Sequence, residues 1–148
     1  MSATVKNSLA FLQEMLLKEH DLGADVLKIA LMVPAFTFDP EAHGTWGDVS
    51  ASEIDDGFGY TAGGQDLDMV SVSINAAEAR VEVHANNPSW TADGGAIATI
   101  GSAIVYNDTH ASKTVVQHIQ FGATYDTPDT KIFQVNMSEG LRYWKNEA

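Results

Sequence analysis

The chain contains no cysteine. A disulfide framework and a thiolate zinc site are therefore excluded, and stability has to come from packing and association. Basic residues are few and dispersed: Lys6, Lys18, Lys28, Arg80, Lys113, Lys131, Arg142 and Lys145 stand against 20 Asp and Glu, for a formal net charge of −12. Binding a phosphate backbone releases counterions to clustered Lys and Arg, so neither nucleic acid nor an anionic membrane is an expected direct partner. Long apolar runs are missing too. In MSATVKNSLAFLQEMLLKEH the residues Gln13, Glu14, Lys18 and Glu19 interrupt the apolar ones, which fits neither a secretory signal nor a membrane span and predicts a protein made in the cytoplasm of its cell. No repeat and no low-complexity linker punctuates the sequence.

What is present suits one globular unit. The 148 residues are 45% hydrophobic and 19% charged, enough apolar surface to offset ordering entropy in a single domain spanning residues 1–148. The excess of carboxylates favours solubility at some cost in self-repulsion.

Near the start, Leu9, Leu12 and Leu16 fall at i, i+3 and i+7 with Phe11 and Met15 beside them, a pattern that predicts an amphipathic helix over Val5 to Glu19. Ser2 or Thr4 is the expected N-cap and Gly23 the expected C′ residue, making residues 1–22 a helix and turn. From Asp25 the period changes to two. Leu27, Ile29, Leu31 and Val33 alternate with Val26, Lys28, Ala30 and Met32 until Pro34, a strand whose second face is unusually apolar. Residues 35–64 form a long acidic, glycine-rich loop carrying Trp46, Phe58 and Tyr60, with a helical turn expected near Pro40 to His43; long loops of this kind are often functional.

Strands are then expected at Met69–Ile74, Ala79–His84, Ile97–Tyr106, Thr114–Phe121 and Lys131–Met137, separated by turn-forming clusters such as Asn86-Asn87-Pro88 and Asp93-Gly94-Gly95. The fold class this predicts is mainly β: an antiparallel sandwich or jelly-roll-like domain over residues 25–137 with one N-terminal amphipathic helix. Residues 138–148, with Leu141, Tyr143 and Trp144, read as a C-terminal arm or a last short strand.

Motifs that would carry chemistry fail on spacing. Gly57-Phe58-Gly59-Tyr60-Thr61-Ala62-Gly63-Gly64 has neither the spacing of a phosphate-binding loop nor a helix after it, and predicts a tight turn instead. Acidic groups such as Asp66 and Asp68, Asp55 and Asp56, or Asp126 and Asp129 match no EF-hand ligand pattern. The histidines His20, His43, His84, His110 and His118 show no HxH or HExxH spacing, so a zinc site would need tertiary convergence. Asp39 with Glu41, or Glu53 with Asp55 and Asp56, could in principle be the paired carboxylates of a glycosidase, but an acidic loop accounts for them. No catalytic residue, cofactor or metal is expected, and the chain is read as a non-enzyme. Trp46, Trp90 and Trp144 are satellite core or interface anchors, environments that both favour large amphipathic rings.

Several phrases, taken in order, carry a family likeness: Asp21-Leu22 with Asp25-Val26-Leu27-Lys28-Ile29-Ala30-Leu31, Gly59-Tyr60-Thr61-Ala62-Gly63-Gly64, Pro88-Ser89-Trp90-Thr91-Ala92, Ala103-Ile104-Val105-Tyr106-Asn107-Asp108, and Phe121-Gly122. On these the chain resembles small β-rich structural proteins of tailed bacteriophages, of the capsid decoration or cement type. The long loop after Pro34 and the tail after Ser138 depart from that pattern. The resemblance implies a virion component on the capsid surface that associates with itself as a homotrimer and bridges copies of the phage major capsid protein, stabilising the head. A tail or head-tail adaptor or receptor-binding β module is the alternative, and a cytoplasmic binding protein or minor hydrolase the outsider. Leu9, Leu12, Leu16, Trp46, Phe58, Tyr60, Trp90 and Trp144 are the candidate oligomer or capsid contacts, the rival expectation being that the helix and the long loop simply cover the open end of the β core.

Overall fold

The computed structural model describes residues 4–137 and 141–145, the last five and residues 69–70 as backbone. Among the described residues, ten strands and two short helices run in the order β1 (Thr4–Asn7), α1 (Leu9–Leu16), β2 (Leu27–Met32), α2 (Trp46–Val49), β3 (Gln65–Leu67), β4 (Met69–Asn75), β5 (Arg80–Ala85), β6 (Ser89–Thr91), β7 (Ile97–Asn107), β8 (Val115–Thr127), β9 (Ile132–Gln134) and β10 (Leu141–Lys145). The fold is mainly β and antiparallel with little helix. Its centre is a five-stranded sheet in the order β1-β8-β7-β2-β3, accompanied by a three-stranded sheet β10-β5-β4 and a pair β6-β9.

The alternation in β2 decides how the layers stack. Leu27, Ile29 and Leu31 of β2, with Ala103 and Val105 of β7, point into a large core shared with Phe11, Tyr60, Trp90, and Val83 and Ala85 of β5. Ala30 and Met32, with Ile104 and Tyr106, point the other way into a second core formed with Phe38 and Val49 and flanked by Phe36 and Trp46. The apolar second face of β2 thus has its explanation: the segment between Pro34 and Ser52, including α2 and a turn of 3-10 helix at Ser50–Ser52, covers it. A strand buried on both faces loses the usual polar alternation. Opposite Val105 and Tyr106 of β7, β8 uses Gln117 and Val115, leaving Val116 as a bulge residue. The extra residue brings Val115, not Val116, opposite Tyr106 and into the second core, and Val116 into the first.

The N-terminal segment corrects the expected helix. Thr4–Asn7 is strand, zipped to β8 with Thr4 opposite Gln120 and Asn7 opposite Gln117, because pairing with a free sheet edge outweighs a weak local helix preference. The cap is Ser8, not Ser2 or Thr4: its hydroxyl oxygen accepts the Phe11 N–H at 3.4 Å. The end of α1 also moves. Lys18, at φ 62°, takes the left-handed C′ position that Gly23 was expected to fill. Its N–H reaches the Met15 carbonyl at 3.2 Å and the Glu19 N–H reaches that of Glu14 at 2.9 Å, the paired bonds of a Schellman closure. Pro40–Ala42 form the expected turn. β1, β3 and β6 were not foreseen; each is three or four residues long and exists through its partner strand.

Candidate functional site

The Schellman closure reverses the chain and folds His20 back beneath Glu14. His20 Nε2 lies 2.7 Å from Glu14 Oε2, with the imidazole fully buried and the carboxylate one-fifth exposed. The β7–β8 hairpin adds the other partners. Thr114 donates its hydroxyl to the same Glu14 oxygen at 2.6 Å and lies 3.1 Å from His110 Nδ1. The rings of His20 and His110 sit 4.7 Å apart, and His110 Nε2 is 3.4 Å from Glu19. Glu14, His20 and His110 are therefore the tertiary convergence that spacing alone could not reveal: among the described residues they form a group of potential ligands whose donor atoms all fall within 4.8 Å.

The chemistry of the second partners decides what the group can hold. A histidine that binds a metal through Nε2 carries its hydrogen on Nδ1 and gives it to an acceptor. His20 Nδ1 instead meets the amide nitrogen of Asn107 at 2.9 Å. That amide cannot be reversed, since its oxygen accepts the Thr109 and His110 N–H groups at 3.0 and 3.2 Å while its nitrogen donates to Asp25 Oδ2 at 2.7 Å. The His20 Nδ1 lone pair is thereby occupied, the hydrogen sits on Nε2, and it points at Glu14. The residues do not fit a metal held through this nitrogen. They fit a closed hydrogen-bond network that fastens the end of α1 to the hairpin and leaves the opposite face of α1 outward.

Other candidate acids and bases are similarly committed. Glu53 Oε1 accepts the Tyr60 hydroxyl and the Gly63 N–H, both at 2.6 Å; Asp56 accepts the Ala62 N–H at 2.7 Å; Asp39 closes a turn through the N–H groups of Glu41 and Ala42. On β5, Glu82 takes Arg80 Nε at 2.5 Å, Asn75 at 3.1 Å and His84 at 2.9 Å. The Arg80 hydrogen bond, ahead of those from Asn75 and His84, holds its carboxyl below the usual range. His118 is buried against Phe38, stacked at 5.1 Å, and Phe36, edge-on at 5.6 Å, and its Nε2 has no hydrogen-bond partner. Burial, then the nearby positive charge of Lys6 and His43, pushes it down to about 4.

The glycine-rich phrase is a clasp. A Cβ on Gly59 would stand 2.0 Å from the Thr91 carbonyl oxygen, and one on Gly64 1.9 Å from that of Ile29, both at positive φ, so only glycine lets this loop lie on β2 and β6. Tyr106 donates to the Gly63 carbonyl at 2.7 Å. An open apolar groove of about 380 Å³ runs beside Ile119, Phe121, Tyr125, Ile132 and Phe133; no carboxylate or imidazole lines it.

The expected contact residues divide. Tyr60 and Trp90 lie in the core, and Trp46 is half-buried with its ring stacked on Tyr106 at 4.4 Å. Phe58 is 55% exposed, Leu9 49% and Leu16 70%, while Leu12 is half-buried. The backbone at Trp144 pairs with Val81; its side chain lies outside the described residues. Compared with known protein families, with curated proteins and with solved structures, the chain matches none.

Proposed function

We propose that the chain is a structural component of a bacteriophage particle, a capsid decoration protein that associates as a homotrimer and clamps neighbouring copies of the major capsid protein. The observation that supports this reading is the orientation of α1. The face that packs inward is Phe11 with Leu12 and Met15; Leu9 and Leu16 turn outward, with Leu17 also 62% exposed. A helix anchored by a hydrogen-bond network and presenting leucines to solvent is suited to docking rather than to covering its own core.

Two further features agree. Glu14, His20, Asp39, Glu53 and Glu82 are engaged in internal hydrogen bonds, and the phrases on which the resemblance rests are fold-closing elements: Asp25 and Asn107 in the α1 clasp, Gly59 to Gly64 in the loop clasp. As a decoration, the protein would act through buried area, typically about 1,600 Å² for a specific interface, and would stabilise the shell because it binds only the assembled form.

The test is the copy number in purified virions, measured by quantitative mass spectrometry against the major capsid protein. Abundance comparable to the capsid protein supports lattice-wide decoration. A few copies per particle would move the protein to the tail or a vertex, and absence from particles would overturn the reading.

A further inference from the structure

Sheet edges are a hazard, because a row of unpaired N–H and C=O groups invites another strand. Most edges of this protein are short or charged. β3 has three residues and carries Asp66, paired with Lys28 at 3.4 Å; β1 has four and carries Lys6; β10 carries Arg142 and Lys145. β4 breaks the pattern. It is seven residues long, reads Met-Val-Ser-Val-Ser-Ile-Asn, and has no charge, proline or glycine. It lies at the end of its sheet, paired only with β5 among the described strands. Both of its faces are open: Ser71 and Ser73 are exposed, and so are Val72 at 55% and Ile74 at 80%.

We propose that β4 is a self-association edge: two copies of this chain pair β4 antiparallel to β4 about Ser73, joining two three-stranded sheets into one of six. The sequence is self-complementary about that point. With Ser73 opposite its own copy, Val72 faces Ile74 of the second chain and Ser71 faces Asn75. Apolar side chains then meet on one face and polar ones on the other, and the two β-branched Val72–Ile74 cross-strand pairs favour this alignment. A slip of one residue would set Val72 against Ser73 and mix the faces, so the register is specified. The Val72–Ile74 face continues that of Val83 and Val81 on β5, which extends the apolar strip across both subunits.

Charge selects the occupant. At a net −12, two copies repel wherever carboxylates meet, and the stretch from Met69 to Ala77 contains none. An isologous contact of this kind closes on itself with two-fold symmetry instead of propagating. The proposal concerns the isolated protein and does not depend on the virion assignment.

Because the chain has no cysteine, Ser73→Cys introduces a single thiol, and Cα atoms facing each other across an antiparallel pair sit about 4.5–5.5 Å apart, within disulfide reach. Under diamide, the S73C chain is expected to cross-link into dimers at least tenfold faster than Ser112→Cys, which places the thiol on an exposed turn. In sedimentation velocity, Ile74→Lys should halve the sedimenting mass while leaving the circular-dichroism spectrum unchanged, since Ile74, 80% exposed, packs against almost nothing within its own chain. Equal cross-linking of the two cysteine variants, a monomeric unsubstituted protein, or an oligomer indifferent to I74K would each overturn the proposal.

Discussion

The Tyr60 hydroxyl donates to Glu53 Oε1 at 2.6 Å, and the same oxygen of Tyr60 accepts the Leu31 N–H at 3.0 Å. One phenol thus joins the glycine-rich loop, the acidic loop before it and β2. Burial first, and the Glu53 hydrogen bond second, push its ionisation far above the ordinary tyrosine value. Tyr60→Phe keeps the ring but strands the buried Leu31 N–H and leaves Glu53 Oε1 with the Gly63 N–H alone, and should lower unfolding free energy by about 2 kcal/mol in urea titration. Ser112→Ala, on an exposed turn, should change it by less than about 0.5 kcal/mol.

Lys18 holds a left-handed backbone at φ 62° without being glycine. A non-glycine residue there costs roughly 1 kcal/mol, and its exposed side chain makes no compensating ion pair among those described. Lys18→Gly should therefore raise stability by about 0.5–1 kcal/mol, read as an increase in the urea midpoint at constant slope.

The same turn marks the limit of what the sequence revealed. Strand identity in β2, β4, β5, β7 and β8 was legible because alternation and turn residues are local signals, and the mainly β, antiparallel class followed from them. The leucine stripe was legible as amphipathic, but its division was not: Leu12 packs on the core with Phe11 and Met15, whereas Leu9 and Leu16 face outward. Glu14, His20 and His110 were invisible as a group because the hairpin that supplies His110 returns from far along the chain. The tail contact expected of Trp144 lies outside the described side chains. Trp90 and Tyr60 looked like anchors for the reason that any large ring does; only their packing places them in the core.

His118 makes acid stability asymmetric. Its ordinary value of 6.5 falls to about 4 in the fold, so the unfolded chain binds a proton that the folded chain refuses. The sign follows: stability is full above pH 6.5 and is lost as pH falls through the interval down to about 4, by on the order of 2–3 kcal/mol at pH 4.5. Urea midpoints at pH 7.5 and 4.5 should differ less in His118→Leu than in the unsubstituted protein. An identical difference in both would show that carboxylates alone govern the acid limb.

Zinc offers a direct check on the His20 tautomer. If Asn107 fixes the Nε2–H form, a few equivalents of zinc at neutral pH leave the melting temperature unchanged, whereas Asn107→Leu lowers it through four broken hydrogen bonds. A zinc-induced rise of several degrees that His110→Ala abolishes would make the cluster a metal centre after all.

The order of strands in the central sheet has a temporal consequence. β2 lies against β7, Leu27 opposite Asn107, and β1 lies against β8, Thr4 opposite Gln120, so each is partnered by a strand synthesised 80 or 116 residues later. During translation the segment to Ser52 follows β2 at once and can cover one of its apolar faces, but the edge of β2 that pairs with β7 stays open for seconds at roughly 5–20 residues per second. Closure of such distant pairs places the chain among slow-folding, millisecond-to-second topologies, and the nascent protein is most prone to aggregate in the seconds before residue 120 emerges.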